Sequence, residues 1–274
     1  MDAPDFGAGL PDEVLRRLLL ASAAEGEAPG LSLARRAAVH PVWRQVARRT
    51  PGCVLAAFKA TGSIAEWVVP EWVESVGIEA CGARGGGSIG RKGGRGARVV
   101  CRAAVRPGER LAVLVGRAGG TAEYSGGGGG GSFVVRAADG SPLAVAGGGG
   151  GAGNTGAGGA AALGEAGARG TDSPGGSKGS GGGSEGGGGL GDGWYSKPGL
   201  HAGCSGGGLV GDGAALRPGE DPNTECGVGR AFAHGGAGGT RGTQSEYRAG
   251  EGGFGGGGCG SGNGGDGRVT VTLT

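Results

Sequence analysis

Aromatic side chains are scarce in this chain, at 4% of 274 residues, so an aliphatic–aromatic core cannot run through its whole length. Long apolar runs are absent too, and no stretch approaches the roughly 18 residues of a membrane span. The opening residues Met1-Asp2-Ala3-Pro4-Asp5-Phe6 lack the basic start and apolar centre of a secretory signal. None of Asn154, Asn223 and Asn263 stands in an Asn-x-Ser/Thr acceptor. The expectation is a soluble protein of the cytoplasm or nucleus, with no membrane partner.

Chemistry-bearing patterns are equally thin. The histidines His40, His201 and His234 are isolated, and Cys53, Cys81, Cys101, Cys204, Cys226 and Cys259 form no Cys-x-x-Cys pair. Neither a metal site nor any cofactor is expected. The cysteines could close up to three disulfides outside the cell, but reduced thiols are the expected state inside it. Glycine is so dense that Gly-x-Gly-x-x-Gly matches carry no information, and no Walker lysine accompanies them. Serine, histidine and aspartate occur without a nucleophile-elbow context, so the chain reads as a non-enzyme. A formal charge of +2 recommends no class of partner.

What is abundant is glycine, with 77 residues, of which only Gly7, Gly9, Gly26, Gly30 and Gly52 fall in the first 60. That shift separates a unit of residues 1–57 from a glycine-rich unit of residues 58–274. In the first unit Leu10-Pro11-Asp12-Glu13 has the proline and acids of a helix start. Val14, Leu15, Leu18 and Leu19 continue it at helical spacing. Leu31, Leu33, Ala34 and Ala37 resume the pattern, and Pro41 opens a third helix with Val42, Trp43 and Val46. Three short helices make a marginal core that needs a partner surface.

The series Leu10-Pro11-Asp12-Glu13-Val14-Leu15, Leu31-x-Leu33-Ala34-Arg35 and Val39-His40-Pro41-Val42-Trp43-Arg44-Gln45-Val46-Ala47 resembles an F-box. His40 and Pro41 stand where the family has cysteine and a basic residue. The resemblance implies docking on the Skp1 adaptor of a cullin-type ubiquitin ligase. Leu10, Pro11, Val14, Leu15, Leu18, Val39 and Trp43 would be the contact or supporting positions. The alternative is a three-helix cap on the glycine-rich unit with no such role.

From Lys59 the hydrophobic period changes to two. Strands are expected at Trp67–Pro70, Val73–Ala80, Ala97–Val105, Leu111–Val115, Ser132–Ala138, Leu143–Ala146 and Arg268–Thr274. The Arg106-Pro107-Gly108-Glu109 turn would return one strand on the next, and Asp139-Gly140 would close a hairpin. The last strand must pair with those before residue 146, which makes residues 146–267 an insertion between strands of one sheet system. An unstructured loop of that length is uncommon.

The landmarks Phe58-x-x-Thr61-Gly62-Ser63, Trp67-x-Val69-Pro70, Ile78-Glu79-Ala80-Cys81-Gly82-Ala83-x-Gly85-Gly86, Val105-x-Pro107-Gly108-x-x-Leu111, Ala144-x-Ala146-Gly147 and Gly265-Asp266-Gly267-Arg268-Val269-Thr270-Val271 are similar to the glycine-rich domain of anaplastic lymphoma kinase and leukocyte tyrosine kinase receptors and of bacterial and algal proteins. The resemblance implies a mainly β fold, a jelly-roll-like β-sandwich with an inserted bundle of polyglycine II helices. The receptors' membrane span and kinase have no counterpart here, so their ligand binding is not carried over.

The insertion has three conceivable fates. Collagen needs a strict Gly-x-y period, which the spacing here does not keep. A disordered Gly/Ser tract and a packed array of three-residue-period helices both remain. Ordering glycine loses much backbone entropy, so an array needs many lateral hydrogen bonds and strands to clamp its ends. Trp194 and Tyr195 are its most conspicuous aromatics, as loop anchors or as a recognition surface. Arg84, Arg91, Lys92, Arg95 and Arg98 interleave with glycines like a nucleic-acid-binding segment. Without stacking aromatics they read as a solvated basic loop, and nucleic acid is not an expected partner. The function expected overall is a non-enzymatic adaptor between Skp1 and an unknown substrate protein. The alternative is a structural or ligand-binding module without a ligase role.

Overall fold

A computed structural model of the chain describes residues 52–87, 90–121, 126–152, 208–212, 229–238 and 265–274. The helices expected in residues 1–50 lie outside the described residues, and so do Trp194 and Tyr195.

The described residues are mainly β. The strands are β1 (Val54–Lys59), β2 (Ala65–Val68), β3 (Ser75–Cys81), β4 (Arg98–Ala104), β5 (Arg110–Leu114), β6 (Ser132–Arg136), β7 (Pro142–Ala146) and β8 (Arg268–Leu273). They form two antiparallel sheets, one in the order β1-β8-β3-β4 and the other β2-β5-β6-β7. The expected partner of the last strand is therefore found: β8 sits between β1 and β3, with Val269 opposite both Phe58 and Ala80.

The alternation read in the sequence explains which side of each strand is dry. In β3, Val76, Ile78 and Ala80 are fully buried, and in β8 so are Val269 and Val271. They meet Leu111, Val113 and Val134 of the other sheet in one core, closed at the side by Val69, Trp72 and Val73. Strand β6 departs from alternation, because Phe133 and Val135 are buried as well as Val134. Its outer face carries the Phe133 ring against Phe232, with centroids 5.7 Å apart. Phe232 belongs to a short 3-10 turn, Phe232–His234, inside the long insertion, so part of that tract returns to the sheet.

Two expectations need correction. The Pro107-Gly108 turn does not fold one strand back on the next. Strand β4 pairs with β3, whereas β5 pairs with β2 and β6, so the turn carries the chain from one sheet to the other. Gly108 has a φ of 74° there, a backbone region that glycine reaches without steric penalty. Strand β1 also starts at Val54, and Cys53 and Leu55 join the core, so the β unit reaches back across the boundary drawn between residues 57 and 58.

Candidate functional site

Beyond one end of the sandwich, most strands continue into glycine. Residues 82–87 extend β3, 93–97 lead into β4, 116–121 extend β5, 126–131 lead into β6, 147–152 extend β7 and 265–267 lead into β8. These segments bond laterally, and the bonds recur every third residue. Gly82 and Gly85 donate to Ala97 and Gly94, while Ala83 and Gly86 donate to Gly130 and Gly127. Gly149 and Ala152 donate to Ala83 and Gly86, Gly94 and Ala97 to Gly150 and Gly147, and Gly126 and Gly129 to Ala152 and Gly149. The distances are 2.7–3.0 Å. Segment 82–87 thus lies inside the layer and is bonded on several sides, which a flat β ladder cannot do.

Glycine is required here by proximity. None of the glycines in these six segments has a positive φ. A Cβ on Gly85, Gly86, Gly93, Gly96, Gly129 or Gly148 would instead overlap a carbonyl of the adjoining segment. This also revises the reading of residues 84–98. Arg91, Lys92, Arg95 and Arg98 are exposed, as a solvated loop demands, but Ala83, Gly85, Gly86, Gly93 and Gly94 beneath them are buried. Arg84 folds back, its Nε donating to the Gly93 carbonyl at 3.2 Å.

Ser132 marks the seam between sheet and glycine layer. It is completely buried; its hydroxyl accepts from the Gly116 N–H at 3.1 Å and donates to the Cys81 carbonyl at 2.8 Å. A Cβ on Gly267 would come within 2.6 Å of that hydroxyl, so glycine lets β8 enter beside it. Asp266 secures the same junction by accepting from the Ala118 N–H at 2.8 Å.

Three carboxylates each gather several polar partners. Glu79 of β3 accepts two bonds from Arg98, at 3.1 and 3.0 Å, and one from Arg268 at 2.7 Å. Hydrogen bonds from Arg98 and Arg268 hold its carboxyl down at about 2. At the corner between the sheets, Glu109 pairs with Arg136 and accepts from the Arg106 N–H at 2.8 Å. Burial opposes its ionisation, yet those contacts outweigh burial and keep the carboxyl below its ordinary range. A shallow cavity of about 340 Å³ opens beside this pair, with Arg106 and Asp139 on its walls. In the insertion, Asp212 accepts from the Ala231 N–H and bonds His234 Nδ1, both at 2.7 Å, and also meets Arg230. The Ala231 N–H, then His234, lower its carboxyl to about 2.

Cys81 and Cys101 form no disulfide, and Cys53 is buried in the core. Burial pushes Cys53 up to about 11 and raises Cys81 and Cys101, so none is a ready thiolate. Among the described residues no group of three or more His, Cys, Asp or Glu side chains could hold a metal ion. No described helix is long and apolar enough to cross a membrane. No protein-family model matches the chain, and no curated protein matches it significantly. Of the residues expected to bind partners, Leu10, Pro11, Val14, Leu15, Leu18, Val39, Trp43, Trp194 and Tyr195 all lie outside the described residues. The residues that sequence reasoning missed are Glu79, Ser132 and Asp212, whose partners come from strands or turns 16 or more residues away.

Proposed function

We propose that the chain is a non-enzymatic adaptor of a cullin-type ubiquitin ligase, working in the cytoplasm or nucleus. Its N-terminal helices dock on a Skp1-type subunit, and its β unit holds the protein to be modified. The observation that carries this reading is the F-box-like series from Leu10-Pro11 to Val46-Ala47, directly ahead of the β unit. The β unit supports it by what its polar groups do: Glu79, Glu109 and Asp212 are each engaged by arginines, and Glu109 and Asp212 by a backbone N–H as well, as in a scaffold. Within the same proposal the glycine layer is a bundle of polyglycine II helices, for which three-residue bonding is the supporting observation. The sandwich is jelly-roll-like in placing its last strand between the first and third.

A pull-down of the full chain on a Skp1-type adaptor tests the docking. Retention is expected for the unaltered chain and loss for Leu15→Asp and for Trp43→Ala. Binding that survives both substitutions sinks the ligase role. The second reading, a structural or ligand-binding module whose helices are a cap, would then stand on the glycine layer alone.

A further inference from the structure

Among the described residues the two sheets leave four edge strands, β1 and β4 in one and β2 and β7 in the other. Unpaired edges invite pairing with other chains, and folded proteins usually blunt them. Three of these four are blunted. Strand β1 carries a bulge between Val54 and Ala56. Strand β2 has four residues and stops just before Pro70. Strand β7 begins with Pro142, and its register with β6 slips at Val134 and Val135. Strand β4 has neither a bulge nor a proline, and only its outward charges guard it. Its seven residues pair with β3 in unbroken register, contain no proline, and meet no strand on their other side among the described residues.

The chemistry of that edge is specific. Arg98, Val100 and Arg102 point outward in a row, Val100 with 64% of its surface exposed. From Arg91 to Arg106 the chain has six basic residues and no acidic one. Glu79 anchors Arg98, and Arg98 remains 64% exposed. At the far end the Ala104 carbonyl is taken by Arg136 Nη2 at 2.8 Å, which bounds the open length at Ala103.

We propose that β4 is a docking edge for an extended acidic peptide of a partner protein. The peptide adds as a fifth strand, its backbone bonding the unpaired side of β4. On the outward face an acidic residue lies opposite Arg98, an apolar one opposite Val100 and a second acidic one opposite Arg102. Side chains on one face recur every second residue, so the recognised pattern is acid-x-apolar-x-acid. This surface stands whether or not the N-terminal helices serve a ligase.

Fluorescence anisotropy with the full chain and a labelled Ser-Glu-Thr-Val-Thr-Glu-Ser peptide tests it. Saturable binding is expected, at least tenfold weaker for Arg102→Glu and for a peptide with lysine at both glutamate positions. Arg102→Gln should lie between. Lys59→Glu, on the opposite edge of the same sheet, should leave affinity within twofold and so exclude a bulk-charge effect. N-methylation of alternate peptide amides, which removes backbone donors and keeps the charge, should abolish binding. Hydrogen exchange of the unaltered chain should show peptide-induced protection at residues 98–103. Absence of saturation by about 1 mM peptide overturns the proposal. Indifference to N-methylation, equal weakening by Lys59→Glu, or protection elsewhere overturns it as well.

Discussion

Replacing Gly85 by alanine separates a glycine that is packed from one that is merely frequent. A Cβ at residue 85 would stand 2.5 Å from the Gly150 carbonyl carbon and 2.9 Å from the Gly149 oxygen, against the 3.4 Å at which ordinary contact begins. Both obstacles are backbone, so no rotamer change relieves them, and segment 147–152 must move outward. That segment is tied in by Gly94 to Gly150 at 2.7 Å, Gly149 to Ala83 at 2.9 Å and Gly129 to Gly149 at 2.8 Å. Stranding two of these buried groups costs about 2–6 kcal/mol. The lower chain entropy of alanine in the unfolded state returns about 0.4–1 kcal/mol. A net loss near 3 kcal/mol follows, which for a unit of this size lowers Tm by about 6–12 °C. The control is Gly265→Ala. Its Cβ meets nothing within 4 Å and its φ is not positive, so Tm should hold or rise slightly. Calorimetric melts of the two variants decide the matter. A Gly85→Ala protein melting within 2 °C of the unaltered chain, or alongside Gly265→Ala, would refute the argument from close approach.

Two further outcomes follow from named contacts. Ser132→Ala leaves the Gly116 N–H and the Cys81 carbonyl without their shared partner at a fully buried seam, so Tm should fall by about 4–8 °C for a loss near 2 kcal/mol, and an unchanged melt would show that water or a shift replaces the hydroxyl. Glu79 has a folded-state carboxyl at about 2 against an ordinary 4.5, so its contribution is complete above pH 4.5 and is lost as pH falls toward 2. Its arginine partners are more than 60% exposed, which limits the contribution to about 1 kcal/mol. Urea titrations at pH 6 and pH 3 should therefore show a smaller drop for Glu79→Gln than for the unaltered chain, and equal drops would contradict it.

Much of the sheet architecture was legible because one face of each strand is dry. Val76-x-Ile78-x-Ala80 and Val269-x-Val271-x-Leu273 write that condition directly into the chain. Strand β1 was not legible. Its Val-Leu-Ala-Ala-Phe-Lys run holds a bulge that buries Leu55 and Ala56 in succession, which erases the period of two. The crossing at Pro107-Gly108 was hidden for another reason: a turn within a hairpin and a turn between sheets use the same local residues, and only distant pairing tells them apart. The glycine segments before residue 146 were obscured by their arginines. Where lateral bonds recur every third residue, a segment can bury a glycine face and still hold Arg84 or Arg95 on another. Asp212 and Glu79 carry no sequence signal at all, since what defines them is the arrival of residues from elsewhere in the chain.

The central position of β8 has a consequence during synthesis. Strands β1 and β3 both use β8 as a neighbour, yet β3 ends at Cys81 and β8 runs to Leu273. At about 5–20 residues per second, a ribosome needs roughly 10–40 s to cover that interval. Throughout it, the facing edges of β1 and β3 wait on the nascent chain with no strand between them. Strands β4 to β7 emerge first and find partners elsewhere, and the long glycine-rich tract that follows is poor in apolar side chains, so little in it competes for the vacant place.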